Sequence, residues 1–158
     1  MITRTALVDR IMPVMEAAFD PTYGEAWNRR QIADALTMPS THAILVDASG
    51  NRIESDEEEI EAAGFVLSRH AADEEELLLI AVVPNARRSG LGDTLIKALF
   101  ESAKSRGVAR VFLEMRRGNP AEHLYRSAGF EPIGERSQYY RMSNGTRIDA
   151  ITFSRSIS

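Results

Sequence analysis

The sequence predicts an α/β protein of the mixed, α+β kind: a central sheet with helices on both faces. Two observations carry that prediction. Segments of helical and strand period follow one another in the order α, α, β, β, β, α, β, α, β, β, and no repeat or low-complexity linker divides the 158 residues. A single domain over residues 1–158 is therefore expected.

From the N-terminus, Ile11, Val14, Met15 and Ala18 recur at helical spacing within Val8 to Phe19. The turn-rich "DPTYGEAW" leads to a second helix expected over Glu25 to Leu36, with Trp27, Ile32 and Leu36 inward. "THAILVD" is a strand ended by Ala48-Ser49-Gly50. "IEAAGFVLSRH" and "EEELLLIAVV" are two more, joined by the turn "AADE". A glycine loop follows. Leu91, Leu95, Leu99 and Ala103 then form an apolar stripe, flanked by Ile96 and Phe100, and predict a helix from about Leu91 to Arg106 that Gly107 stops. "VARVFLEM" is a strand. "NPAEHLYRSAGF" is a short helix, with Asn119 as its cap, Pro120 in its first position, Glu122 completing a capping box and Gly129 closing it. Two strands around Asn144-Gly145, a strong hairpin signal, end the chain.

Composition narrows the function. The chain is 44% hydrophobic and 27% charged, ordinary for a soluble protein. Its longest uninterrupted apolar run, Leu77 to Val83, is far too short to span a membrane, and "MITRTALVDR" has no secretory apolar core, so a cytoplasmic location is expected. The absence of cysteine excludes disulfides, thiolate zinc sites and a covalent cysteine intermediate. Net charge is −4, which argues against direct nucleic-acid binding. Acidity gathers in "ESDEEEIE" (Glu54 to Glu61) and "DEEE" (Asp73 to Glu76), either as solvated loop charge or as a field for a cationic substrate.

The stretch "NARRSGLGDTL" lies between an apolar strand and an amphipathic helix. A Walker loop fails here because neither glycine precedes Lys-Ser/Thr, and a dinucleotide fingerprint lacks its third glycine. What remains is R-x-x-G-x-G on Arg87, Gly90 and Gly92. Glycines let successive backbone N–H groups turn toward one anion, and the helix dipole adds to the attraction. An ordinary strand-to-helix turn is the competing interpretation.

The run "IAVVPNARRSGLGDTLIKAL" with "LEMRRGNPAEHLYRSAGF" resembles the GCN5-related N-acetyltransferase (GNAT) family. With the tail "ERSQYYRMSNGTRIDAITFSR" it is most similar to the bacterial ribosomal-protein-alanine N-acetyltransferases, over roughly Leu77 to Phe153. The resemblance implies a sheet of about six to seven strands with splayed middle strands, and acetyl-CoA as cosubstrate without a metal. It implies that Arg87, Arg88, Ser89, Gly90, Leu91, Gly92 and Asp93 hold the pyrophosphate. Ile80, Ala81 and Val82 would pair their backbone with the pantetheine arm, and Asn119 would contact the cofactor. Asp93 departs from the pattern by placing a carboxylate beside a pyrophosphate.

The resemblance also assigns the chemistry. Glu114 would be the general base, suited by apolar neighbours to take a proton through water, although a strand-end ion pair with an arginine such as Arg116 is the plainer role. Tyr125 would protonate the departing coenzyme A thiolate, or else simply be a core aromatic. His42 and His70 are expected at the surface, and His123 on a different helix face from Tyr125, so none is expected to be catalytic. Three dispersed histidines also give no expectation of a metal.

Acceptor chemistry follows from basicity. At neutral pH an α-amine is ~10% unprotonated and a lysine amine ~0.04%, so one glutamate and a water suffice for the former. A basic protein N-terminus, possibly of a ribosomal protein, is the expected acceptor, met by a monomer. Tyr23, Trp27, Tyr139 and Tyr140 are expected to line its groove. A small amine (a polyamine or amino sugar) as acceptor and a non-catalytic CoA-binding module remain open alternatives.

Overall fold

One mixed sheet holds six strands: β1 (Thr41–Val46), β2 (Gly64–Ala71), β3 (Glu74–Val82), β4 (Arg110–Arg116), β5 (Glu131–Arg141) and β6 (Arg147–Ser156). In the computed structural model, which describes residues 2–56 and 59–158, they are ordered β1-β2-β3-β4-β6-β5. Glu57 and Glu58, the middle of the first acidic run, lie outside the described residues. Only β3 and β4 run parallel; every other pair is antiparallel.

The parallel junction is short. β3 meets β4 through Glu74–Arg110, Glu75–Val111 and Glu76–Phe112, and no further. Immediately beyond, β3 carries a bulge: Ser68 of β2 faces Leu77 and Leu67 faces Leu79, so Leu78 is left over. A bulged strand bends and twists away from its neighbour. The gap between β3 and β4 therefore opens where the extra residue sits.

Helices α1 (Arg4–Ala18) and α2 (Arg29–Ala35) cover one face. Their Val8, Ile11, Met15 and Ile32 pack on Phe65, Leu67, Leu79 and Ala81. Helices α3 (Leu91–Ser105) and α4 (Glu122–Ser127) cover the other, where Leu95, Ile96, Leu99 and Tyr125 pack on Val66, Val111, Leu113 and Phe153. The strand count and the helices on both faces agree with the expected fold class.

Two helix starts differ from expectation. The second helix begins not at Glu25 but after Asn28, whose side chain accepts the Gln31 N–H while the Gln31 side chain accepts the Asn28 N–H. That reciprocal pair satisfies two orphan donors and fixes the boundary. The helix before Tyr125 begins at Glu122, and Pro120 precedes it rather than opening it. Asn119 Oδ1 accepts the Ala121 N–H in a local turn, while the Glu122 carboxylate pairs with Arg126, so the expected capping box is not formed.

In the acidic stretch Asp73 to Glu76, Asp73 in the turn and Glu74 at the start of β3 are exposed charge, but Glu75 is completely buried. Its carboxylate accepts bonds from Ser68 Oγ at 2.6 Å and from Arg106 Nη2 at 2.6 and 2.7 Å. In the first acidic run, Asp56 accepts the Thr3 N–H at the start of α1, where a carboxylate also meets the helix dipole favourably.

Candidate active site

The open side of β3 is the first component. Val83 donates its N–H to Ala63 O, so by strand alternation the backbone groups of Ala81 also face β2. Those of Ile80 and Val82 turn toward the gap. Of the three residues expected to offer backbone to a bound arm, Ile80 and Val82 have backbone groups on the gap side and Ala81 does not.

The loop that follows presents a row of backbone donors. No described acceptor takes the backbone N–H groups of Arg88 through Asp93; the first intrahelical bond of α3 is Thr94 N–H to Gly90 O. Gly90 caps α3 in the left-handed region at φ +84, and a Cβ there would meet open space. Gly92 has a different cause: a Cβ would stand 3.0 Å from a Leu124 methyl, so it is small to let α3 and α4 approach. The two glycines of one motif serve backbone conformation and helix packing respectively.

The side chains of the loop divide likewise. Arg87 donates from Nε to Val82 O at 3.2 Å and from Nη2 to Ala18 O at 2.7 Å, bracing the loop against the end of α1. Ser89 Oγ donates to Ala86 O. Arg88, with φ +67, makes no hydrogen bond or ion pair with a described residue and is the guanidinium left for an anion. Asp93 pairs with Lys97 at 2.9 Å on the solvent side, which offsets its charge beside the loop. An anionic group with several acceptor oxygens fits this set of unpartnered donors.

Glu114 lies on the opposite face of β4 from Val111, Leu113 and Met115, which join the α3/α4 core. Its expected apolar surroundings are not found. Arg136 of β5 binds both carboxylate oxygens, at 2.8 and 2.5 Å, and the ion pair is with Arg136 rather than Arg116. Tyr140 donates its hydroxyl to Glu114 O at 3.5 Å. Tyr125 is buried at the inner side of α4, its ring edge-on to Phe130 at 5.9 Å. Burial first, then the charges of Glu25 and Tyr140, push its phenol well above the ordinary value. The Tyr140 phenol is pushed up to about 12 by burial, then by Glu114 and Glu25. Both phenols therefore keep their protons across physiological pH.

Glu25 is the residue that periodicity concealed. It lies in the loop between α1 and α2, and its carboxylate accepts from Arg116 Nε at 3.2 Å and from Asn119 Nδ2 at 3.3 Å. The Arg116 guanidinium stands 3.5 Å over the Tyr23 ring. The Glu25 carboxylate thus meets Arg116 at the end of β4 and Asn119 from the turn before α4. The spacing N-x-x-Q at Asn28 and Gln31 was the one available signal, since a helix starting there frees Glu25 for the loop.

The four aromatic residues expected in a groove separate. Tyr23 lies under Arg116, and Trp27 lines a cleft of about 410 Å³ with Met12, Met15 and Glu16. Tyr139 is exposed beside Arg136, carried outward by a bulge that sets Arg136 opposite Ala150 but Tyr140 opposite Ile148. Within that bulge Gln138 has φ +53 and donates its N–H to Asp149 at 2.9 Å.

His42 and His70 are not plain surface residues. They stack, with His42 Nε2 and His70 Nδ1 2.7 Å apart, and burial followed by Arg106 lowers the His42 pKa. They sit beside Glu75 at the closed end of the β3–β4 junction. No cluster of three or more metal-binding side chains occurs among the described residues, and no described helix is long and apolar enough to cross a membrane.

A family model, the acetyltransferase (GNAT) family, matches residues 9–130. The [ribosomal protein bS18]-alanine N-acetyltransferase of Escherichia coli (strain K12) is 40% identical over 97 residues, or 61% of this chain. The match covers 65% of that relative's length, just under two thirds. The crystal structure of the ribosomal-protein-S18-alanine N-acetyltransferase from Escherichia coli superposes with a TM-score of 0.79 at 27% identity, covering 99% of this chain and 91% of that one. An aminoglycoside 6'-N-acetyltransferase complexed with coenzyme A shares the fold, with a TM-score of 0.73 at 15% identity over 96% of this chain and 91% of that one.

Proposed function

Because the chain belongs to the acetyltransferase (GNAT) family, we propose that it transfers acetyl from acetyl-CoA directly to the N-terminal α-amine of a protein, with a ribosomal protein's alanine as acceptor. The observation that carries this is the gap itself, which has donors for an anion in the loop after β3 on one side and, on the β4 side, Glu114 with the Tyr140 hydroxyl on its carbonyl. The acceptor comes from what the relatives are named for.

Acetyl-CoA, when bound, supplies an activated acetyl thioester. The N–H groups of Arg88 through Asp93 and the Arg88 guanidinium would hold its pyrophosphate, while Ile80 and Val82 would offer backbone groups to its amide-bearing arm. Glu114 takes the amine's proton through a water; its bond to Arg136 fixes the carboxylate in place. The Tyr125 hydroxyl returns a proton to the departing sulfur. The burial that keeps this proton in place also makes the phenol a weak acid, so it donates only to a thiolate whose charge develops against it.

The test is release of coenzyme A thiol with two basic peptides, one with a free N-terminal alanine and one N-terminally blocked with an internal lysine. Turnover of the first alone is expected. Turnover of neither, with acetyl-CoA bound, would refute the protein acceptor and point to a small amine or to no turnover.

A further inference from the structure

Resting on that function, we propose that Glu25 is a positioning residue: by holding Arg116 and Asn119 it latches the loop between α1 and α2 across the end of the gap and sets the acceptor wall against Tyr125.

The loop from Phe19 to Asn28 contains only one short 3-10 turn, Pro21–Tyr23, so its place is fixed by side chains. Gly24 turns it in the left-handed region at φ +62. At its far end Arg87 holds Ala18 O; at its centre Arg116 grips both Tyr23, ring to guanidinium, and Glu25. Arg116 is 7% exposed, and a guanidinium that buried needs its carboxylate. Asn119 uses both ends of its amide: Nδ2 donates to Glu25 while Oδ1 accepts the Ala121 N–H at the turn into α4. Glu25 is thereby connected, through two neighbours, to the strand that carries Glu114 and the helix that carries Tyr125.

The reach of its charge agrees with that placement, since Glu25 helps to raise the phenols of both Tyr125 and Tyr140. Those tyrosines come from different elements, α4 and β5. Glu25 touches neither reacting atom in this arrangement and acts through Arg116 and Asn119.

Three readouts on Glu25→Gln separate positioning from bulk stability. Backbone hydrogen exchange in residues 19–28 is expected to quicken about tenfold or more while that of α3 stays unchanged. Acceptor kcat/KM should fall about 10- to 100-fold, as misplacement of a reacting group does, with the KM for acetyl-CoA within about twofold of the parent. Tyrosinate absorbance should begin to rise at lower pH, because the Glu25 charge no longer opposes ionisation. Glu25→Asp, which keeps the charge but shortens the reach, should recover part of the loss. Unchanged exchange overturns the latch, and quickened exchange with unchanged acceptor kcat/KM overturns the positioning role. A parent enzyme that acetylates neither peptide would refute the proposed acceptor instead, and exchange and absorbance would then decide the latch without it.

Discussion

The two ends of the gap are made of different materials. At the proposed anion end the available groups are backbone N–H donors from Arg88 to Asp93, left without described acceptors by a left-handed glycine and a helix start. At the acceptor end they are side chains, and nearly every charge is held by another: Glu114 by Arg136, Glu25 by Arg116 and Asn119, Arg117 by Glu135 and Asp149. A backbone-built end tolerates side-chain change and depends on conformation. A side-chain-built end is sensitive to identity and reaches across the sheet. The same family fold can therefore keep one ligand while its acceptor side is rebuilt.

The largest expected effect comes at Tyr125, the proposed proton donor. Tyr125→Phe should lower kcat by about 100- to 1,000-fold, the scale of a lost general acid, with acetyl-CoA affinity measured by calorimetry unchanged. Next comes the backbone end. Gly90→Ala forces a Cβ into the left-handed region at a cost of about 1–2 kcal/mol, so acetyl-CoA binding should weaken about tenfold, whereas Arg88→Ala should weaken it only a few-fold. If both substitutions cost the same, the contrast between backbone and side-chain ends is wrong.

A smaller effect is expected at the Glu114 anchor. Arg136→Ala removes a half-exposed partner and should raise acceptor KM by about threefold, leaving that for acetyl-CoA alone, in steady-state assays with each substrate varied. The smallest is a matter of pH. The Tyr140 phenol is near 10 when unfolded and about 12 when folded, so the folded state binds more protons between those values. Its contribution to stability is whole below about pH 10 and is lost as pH rises toward 12. Melting temperature should decline over that window, and less steeply in Tyr140→Phe.

The same contrast explains what the sequence made legible. The glycine loop and α3 could be read because their cause is local: a left-handed glycine, a helix start, an apolar stripe. The tail hairpin was equally plain from Asn144-Gly145. Glu25 could not be read, because its partners Arg116 and Asn119 lie 91 and 94 residues away. Nor could the partner of Glu114, which comes from a strand two places along the sheet rather than from its own strand. Asn119 shows how a local rule loses: its spacing to Glu122 fits a capping box, but its amide is drawn to a carboxylate from the other face of the sheet. Glu75 was lost to composition, since a buried carboxylate in a run of acids looks like surface charge until Arg106 arrives from the end of α3.

Three residue pairs, Glu74 to Glu76 against Arg110 to Phe112, are the ladder that joins β1–β3 to the strands β4, β6 and β5, with Ala109 N–H donating to Asp73 O just before it. Mechanically the sheet is two leaves on one short spine, and beside that spine the Glu75–Arg106–Ser68 cluster pins β2 and β3 to the end of α3. A wedge is open where nothing crosses it, and from Leu77 to Val82 no ladder pair joins β3 to β4.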